Sequence, residues 1–173
     1  MSGLMAKAED LRRAFDGAFA AAPAGAPEET DALLRIVAAG ERYLVRLSDV
    51  LAVHVCRALV PVPATHPGLL GLSAARGQLL PVYALAVLLG RPVPQDPPRW
   101  LLVSAGAATA GLAFEGIEGI ARLPAAAVRE AAARERRQRH VAGTIADSSG
   151  PRALLDIRSV MDEVWKTVAH SER

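Results

Sequence analysis

Cysteine is almost absent from this chain. Cys56 is the only one in 173 residues, which excludes an internal disulfide and suits a reducing compartment. Long apolar runs are missing too. None approaches the roughly 20 residues that span a bilayer, and the N-terminus shows no charged stretch leading into a continuous hydrophobic one. A cytoplasmic protein with no direct membrane insertion is therefore expected. Charge of neither sign dominates: 20 Lys and Arg against 18 Asp and Glu leave a net +2, which gives no global pull toward nucleic acid. Aromatic residues amount to 4%, and none interleaves with the basic run Arg134–Arg139 to make a base-stacking platform.

Chemistry-bearing constellations are equally scarce. His54, His66, His140 and His170 stand apart, and no pair has the i, i+4 or Cys/His spacing of a metal site. Ser48 and Asp49 lie near His54 without the strand-to-helix elbow that exposes a nucleophile. Gly106–Gly111 carries glycines like those of a phosphate loop. It lacks the Lys-Ser/Thr end and lies between apparent strands, so a hairpin turn is expected. Cys56, among apolar neighbours, reads as an inert core residue. No pair of carboxylates is placed for acid–base work. No catalysis, metal or cofactor is expected, and a binding module is.

What the chain does have is a globular composition, 51% hydrophobic and 22% charged. Its length suits one compact domain or two small ones. Much of the apolar share is alanine, so the core is thin per residue. Residues 3–22 read as an amphipathic helix, with Leu4, Leu11, Phe15 and Phe19 on one face. Residues 23–30 read as a linker, so residues 1–30 form a helix and tether that either caps the body or docks on a partner. In the body, Leu33–Ala38 and Tyr43–Leu47 read as a hairpin, and Val50–Cys56 as a third strand. Beyond the proline-rich stretch Arg91–Arg99, a second β meander is expected over Trp100–Ser104, Ala110–Glu115 and Ile117–Ala121. Pro124 opens an alanine-rich helix through Arg139, expected as a solvated insertion. Val141–Ala146 and Arg152–Leu155 form a last hairpin. A helix from about Ile157 follows, with Val160, Met161, Val164 and Trp165 in a stripe. Two groups of short strands split by a proline-rich stretch predict two small barrels or one folded double sheet.

The most organised stretch is Thr65–Leu89. Leu69–Leu72 reads as a strand, Arg76-Gly77 as a turn, Gln78–Val82 as the returning strand and Ala84–Leu89 as a helical turn stopped by Gly90. Arg76 is the only charge from His66 to Gly90, and a guanidinium amid apolar sequence must reach a carboxylate, a carbonyl or the surface. Gly71, Arg76, Gly77, Pro81, Val82 and Leu85 resemble the core motif of the CheW-like domain, G-x-x-N-L-R-G-x-x-x-P-[IV]-x-D-L. The resemblance extends over roughly Leu33–Val164, through Trp100–Pro124, Val141–Ile145 and Ala153–Ile157, the last matching a closing L-L-D-[IL].

The resemblance implies a mainly β fold with flanking helices. Two five-stranded SH3-like barrels would span about residues 31–90 and 99–156, with a C-terminal helix at about 157–170. It implies a non-catalytic adaptor of chemotaxis signalling, a scaffold in a two-component motility system. Such a protein bridges the cytoplasmic domain of a methyl-accepting chemoreceptor to a CheA-type histidine kinase. The partner-binding residues it implies are Val45, Leu47, Val50 and Val53, in a groove between the barrels, with Arg76 and Gly77. Where the family has Glu, Asn and Asp, this chain has Ala52, Ala74 and Ala84. Their joint loss fits one remodelled interface, the kinase contact being the doubtful one, in a divergent member such as that of a Frz-type gliding-motility system. The rival expectation is a small β-barrel that binds nucleic acid through Arg134–Arg139.

Overall fold

The computed structural model describes residues 29–63, 66–75, 77–105, 109–133 and 138–171. The expected helix over 3–22 with most of its tether, Arg76, and residues 134–137 of the basic run lie outside these residues. Among these residues ten strands form two five-stranded sheets. The first takes the order β8-β1-β2-β10-β9, with β1 Thr30–Ala38, β2 Glu41–Arg46, β8 Gly116–Pro124, β9 Val141–Asp147 and β10 Gly150–Leu155. The second takes the order β3-β6-β7-β5-β4, with β3 Val50–Val55, β4 Leu69–Ala75, β5 Gln78–Ala84, β6 Trp100–Ser104 and β7 Gly111–Phe114. Each sheet holds one parallel pair, β2 with β10 and β5 with β7. Among the described residues three helices complete the body, α1 Leu85–Leu88, α2 Ala125–Ala133 and α3 Ile157–Ser171.

Side-chain alternation on these strands serves two apolar layers at once. On β1, Leu34, Ile36 and Ala38 join the core between the sheets, while Leu33 belongs to a second cluster inside the first sheet's own curl. On β2, Tyr43 and Val45 face the shared core and Leu44 faces inward. On β6, Leu102 faces the shared core, and Leu101 and Val103 face small clusters within the second sheet. With both faces buried, the strands read as continuous apolar runs. Helix α3 lays Ile157, Val160, Met161 and Val164 into the shared core, as its apolar stripe requires.

The strands do not divide at the proline-rich stretch, which corrects the expected boundaries of 31–90 and 99–156. Each sheet draws strands from both halves of the chain. The stretch 91–99 merely joins α1 to β6 beside the same sheet, because prolines demand irregular, exposed backbone and not a domain boundary. The real exchanges are short. A single 3-10 turn, Leu47–Asp49, carries the chain from the first sheet to the second. One residue, Glu115, carries it back between β7 and β8, its amide donating to Val37 O at 3.1 Å while its carboxylate accepts from the Gly40 amide. The expected second meander is therefore broken, since β8 leaves β7 and pairs with β1.

The basic helix also differs from expectation. Instead of a solvated insertion, α2 buries Val128 and Ala131 in the first sheet's inner cluster, and Ala125 is buried as well. Its packing is set by Gly143 on β9, where a Cβ would lie 2.0 Å from the Ala131 carbonyl oxygen. Where that helix gives way to β9, His140 adopts φ +59°, costly for a residue with a Cβ, and is held there by its contacts. Its Nδ1 lies 2.9 Å from Ser159 Oγ and its Nε2 2.8 Å from Glu163 Oε2. Its carbonyl accepts from the Asp156 amide at 2.8 Å, and Arg139 pairs with Glu163 as well. This buried imidazole pins α3 to the start of β9. His140→Ala is expected to lower stability by about 2–3 kcal/mol through lost buried hydrogen bonds, with hydrogen exchange quickening first in α3. Unchanged exchange in α3 would remove this role.

Candidate interaction surface

The turn Leu47–Asp49 and strand β3 bring three of the four expected groove residues together. Leu47, Val50 and Val53 are partly buried and pack against the core between the sheets. Val45 does not join them at the surface. It is fully enclosed in that core, so its role is to support the rim and not to touch a partner, a correction to the expected site. Next along β3, Leu51 and Val55 keep 50% and 52% of their surface exposed. Leu51 is the extra residue of a bulge between Val50 and Ala52, which swings its side chain out of the ladder. The turn is anchored from both sides: the Ala105 amide donates to Asp49 O at 3.0 Å, and the Asp49 carboxylate lies 3.4 Å from Arg158 Nε on α3.

Gly77 sits at the exposed tip of the two-residue hairpin between β4 and β5, at φ +78°, a conformation that favours glycine there. Arg76, its neighbour, lies outside the described residues. The three alanines that replace the family's polar groups do not share one surface. Ala74 is exposed on β4. Ala52 is half-buried and packs on Ala75, Leu80 and Val103. Ala84 is buried and stands at the N-cap of α1, with no side-chain cap. Buried at a helix end, the Ala84 side chain is not presented at the surface.

Two features escaped the sequence reading. Within the first sheet's curl, Arg35 Nε donates to Asp147 Oδ2 at 2.6 Å, from β1 across to the edge strand β9. Arg152 on β10 places Nη1 2.5 Å from Glu118 Oε2 on the opposite edge strand β8, and Nε 3.2 Å from Asp147 Oδ2. These last two are close contacts of opposite charge at angles outside hydrogen-bond geometry. The network ties the two edges of the sheet together. Burial of Asp147 opposes its ionisation, but the Arg35 hydrogen bond, the Ser149 amide and the Arg152 and Arg35 charges together hold its pKa below the ordinary 3.8. Among the described residues, the edges of the second sheet are not tied this way. A cleft of about 350 Å³ lies between β3 and β4, lined by His54, Val55, Arg57, Ser73, Ala74 and Leu101 among others.

Among the described residues no three His, Cys, Asp or Glu side chains come close enough to hold a metal ion. Burial pushes the Cys56 thiol above its usual value, which makes it a poor nucleophile. Nor does a free basic face emerge among the described residues of the arginine-rich segment. Arg129 pairs with Glu29 at 3.2 Å and Arg139 with Glu163.

The CheW-like domain family matches residues 32–164. The chain belongs to this family, whose members are non-catalytic scaffolds. A search of curated proteins gives no match. Among solved structures, the scaffolding protein TtCheW from Thermoanaerobacter tengcongensis is similar with a TM-score of 0.63 at 15% identity, over 74% of this chain and 90% of that one. At that identity the likeness concerns the fold: two five-stranded sheets packed as here.

Proposed function

We propose that this protein is a chemosensory coupling adaptor that binds the cytoplasmic tip of a methyl-accepting chemoreceptor on the rim formed by Leu47, Val50, Leu51 and Val53. Its contact with a CheA-type histidine kinase is, in this reading, weakened. The supporting observation is the apolar rim at the turn between the sheets. It combines partly exposed aliphatic side chains with backbone anchored by Asp49 and a rigid core beneath, the composition of an interface centre. The similar structure is that of a scaffolding protein, in keeping with this role. The kinase contact is inferred to be weak because Ala52 and Ala74 stand where the family carries Glu and Asn, groups that orient a specific partner. An accessory pathway, such as gliding motility of the Frz type, suits an adaptor with one reduced surface.

The rim is tested with Leu51→Asp and Leu47→Ser in titrations of the receptor's cytoplasmic domain. Each is expected to weaken binding about 30-fold, the size of a hot-spot loss near 2 kcal/mol, while cooperative melting is kept. Receptor binding that survives both substitutions would remove the rim from the interface.

A further inference from the structure

The two sheets treat their edges differently. In the first, Arg35 and Arg152 reach across the curl to Asp147 and Glu118, so ion pairs fill the gap between β8 and β9. In the second, β3 and β4 are the edges, and among the described residues no strand pairs between them. The gap holds the cleft of about 350 Å³, within the range of roughly 300–1,000 Å³ typical of ligand sites.

The backbone along this gap is set out for another strand. Opposite β5, Leu72 faces Pro81, which has no amide to give, and Leu72 turns its own groups outward. Val60 takes both: Val60 N donates to Leu72 O and Leu72 N to Val60 O, each at 2.8 Å. One residue of this chain thus already forms an antiparallel rung on the outer edge of β4. By the alternation of the ladder, the next outward-facing residue is Ala74, whose exposed edge lines the cleft. On the other side, the Cys56 amide donates to Arg99 O at 2.9 Å toward β6. The same alternation turns the backbone groups of Val53 and Val55 into the gap. The side chains around it indicate what the strand carries. His54 lines the cleft and its Nε2 is enclosed without a hydrogen-bond partner among the described residues. Arg57 is exposed on the rim, while Val55 and Leu79, the latter 71% exposed and cross-strand from Ala74, offer apolar contact.

We infer that the β3–β4 cleft receives an extended segment of a partner protein, paired backbone to backbone with β4 beyond Val60 and carrying an acidic side chain toward Arg57 and His54. This is recognition by strand addition, in which main-chain bonds give affinity and alternate side chains give selectivity. It does not depend on receptor binding at the Leu47–Val53 rim.

The test uses the full chain and a nine-residue, end-blocked peptide that alternates threonine and valine around a central glutamate. Two further peptides replace the glutamate by lysine or N-methylate the amides that would face β4. The glutamate peptide is expected to bind saturably and to slow exchange of the Ala74 and Val55 amides. N-methylation is expected to weaken it at least about tenfold by blocking main-chain bonds, and lysine by a similar factor. Ala74→Pro should cut binding without costing a bond to β5, since only an outward amide is lost, and Arg57→Glu should reverse the preference for glutamate. Absence of saturable binding by the glutamate peptide overturns the proposal. So does equal binding by its N-methylated form, or a preference for lysine in the unaltered chain. Neither readout involves the receptor, so failure here leaves the rim assay intact.

Discussion

Replacing Asp147 by alanine is expected to lower stability by about 3–5 kcal/mol, the usual cost of removing one partner from a buried ion pair. The reason is what remains behind. Arg152 has 2% of its side chain exposed and Arg35 18%, so two guanidiniums would lose a carboxylate whose side chain is fully enclosed. Arg35 can still turn to Ser148 and the Ile120 carbonyl, which it already contacts. Among the described residues Arg152 keeps Glu118 alone as an ion-pair partner. Removing charge from both sides, as in Arg152→Met with Asp147→Leu, should therefore cost less than the sum of the single changes. The pH dependence has a definite sign. A carboxyl with a folded-state pKa below 3.8 contributes fully at neutral pH. That contribution fades as pH falls past the ordinary carboxylate value and is gone below the folded-state one. Urea unfolding of the parent and of Asp147→Asn at falling pH measures it, and the gap between them should close in acid. A gap that is constant or widens in acid would show that Asp147 is not the stabilising charge.

Gly143→Ala is expected to cost about 3 kcal/mol, the upper part of the usual range for overpacking. The added methyl would meet the carbonyl oxygen and carbon of Ala131 at 2.0 and 2.7 Å. Backbone cannot step aside as a side chain can, so α2 must lift from β9 and expose Val128 and Ala131. Ala131→Gly should give no rescue, because the clash involves the main chain. Gly77→Ala, where a Cβ meets nothing within 4 Å but φ is +78°, should cost only about 1 kcal/mol. Denaturant midpoints of the three variants check this order. A mild Gly143→Ala would mean that α2 does not rest on this glycine.

Much of the element pattern was legible in the residues. Tyr43–Leu47 and the apolar run Leu101–Val103 announce strands by composition, and Gly77 and Gly40 announce turns by backbone chemistry. The stripe Val160, Met161, Val164 announces α3. Strand order was not legible, because the exchange at Glu115 needs no linker and leaves no compositional trace. Proline-rich 91–99, which does leave one, separates nothing. The charge network was partly legible: Arg35 within LLRIVA and Arg152 within PRALL are guanidiniums in apolar strands, the same signal that drew attention to Arg76. Finding their partners required Asp147, 112 residues from Arg35, a distance no local pattern spans. Val45 looked like a groove residue since an alternating strand shows which residues share a face, but not which face meets another sheet. The β3–β4 cleft was invisible because it is made from the absence of pairing.

The coupling role is tested most directly by titrating the full chain separately with the chemoreceptor's cytoplasmic domain and with the regulatory domain of the CheA-type kinase. Saturable receptor binding is expected, lost with Leu51→Asp, alongside kinase binding at least about tenfold weaker, as expected where orienting polar groups are missing. Tight kinase binding with no binding to the receptor would contradict the account.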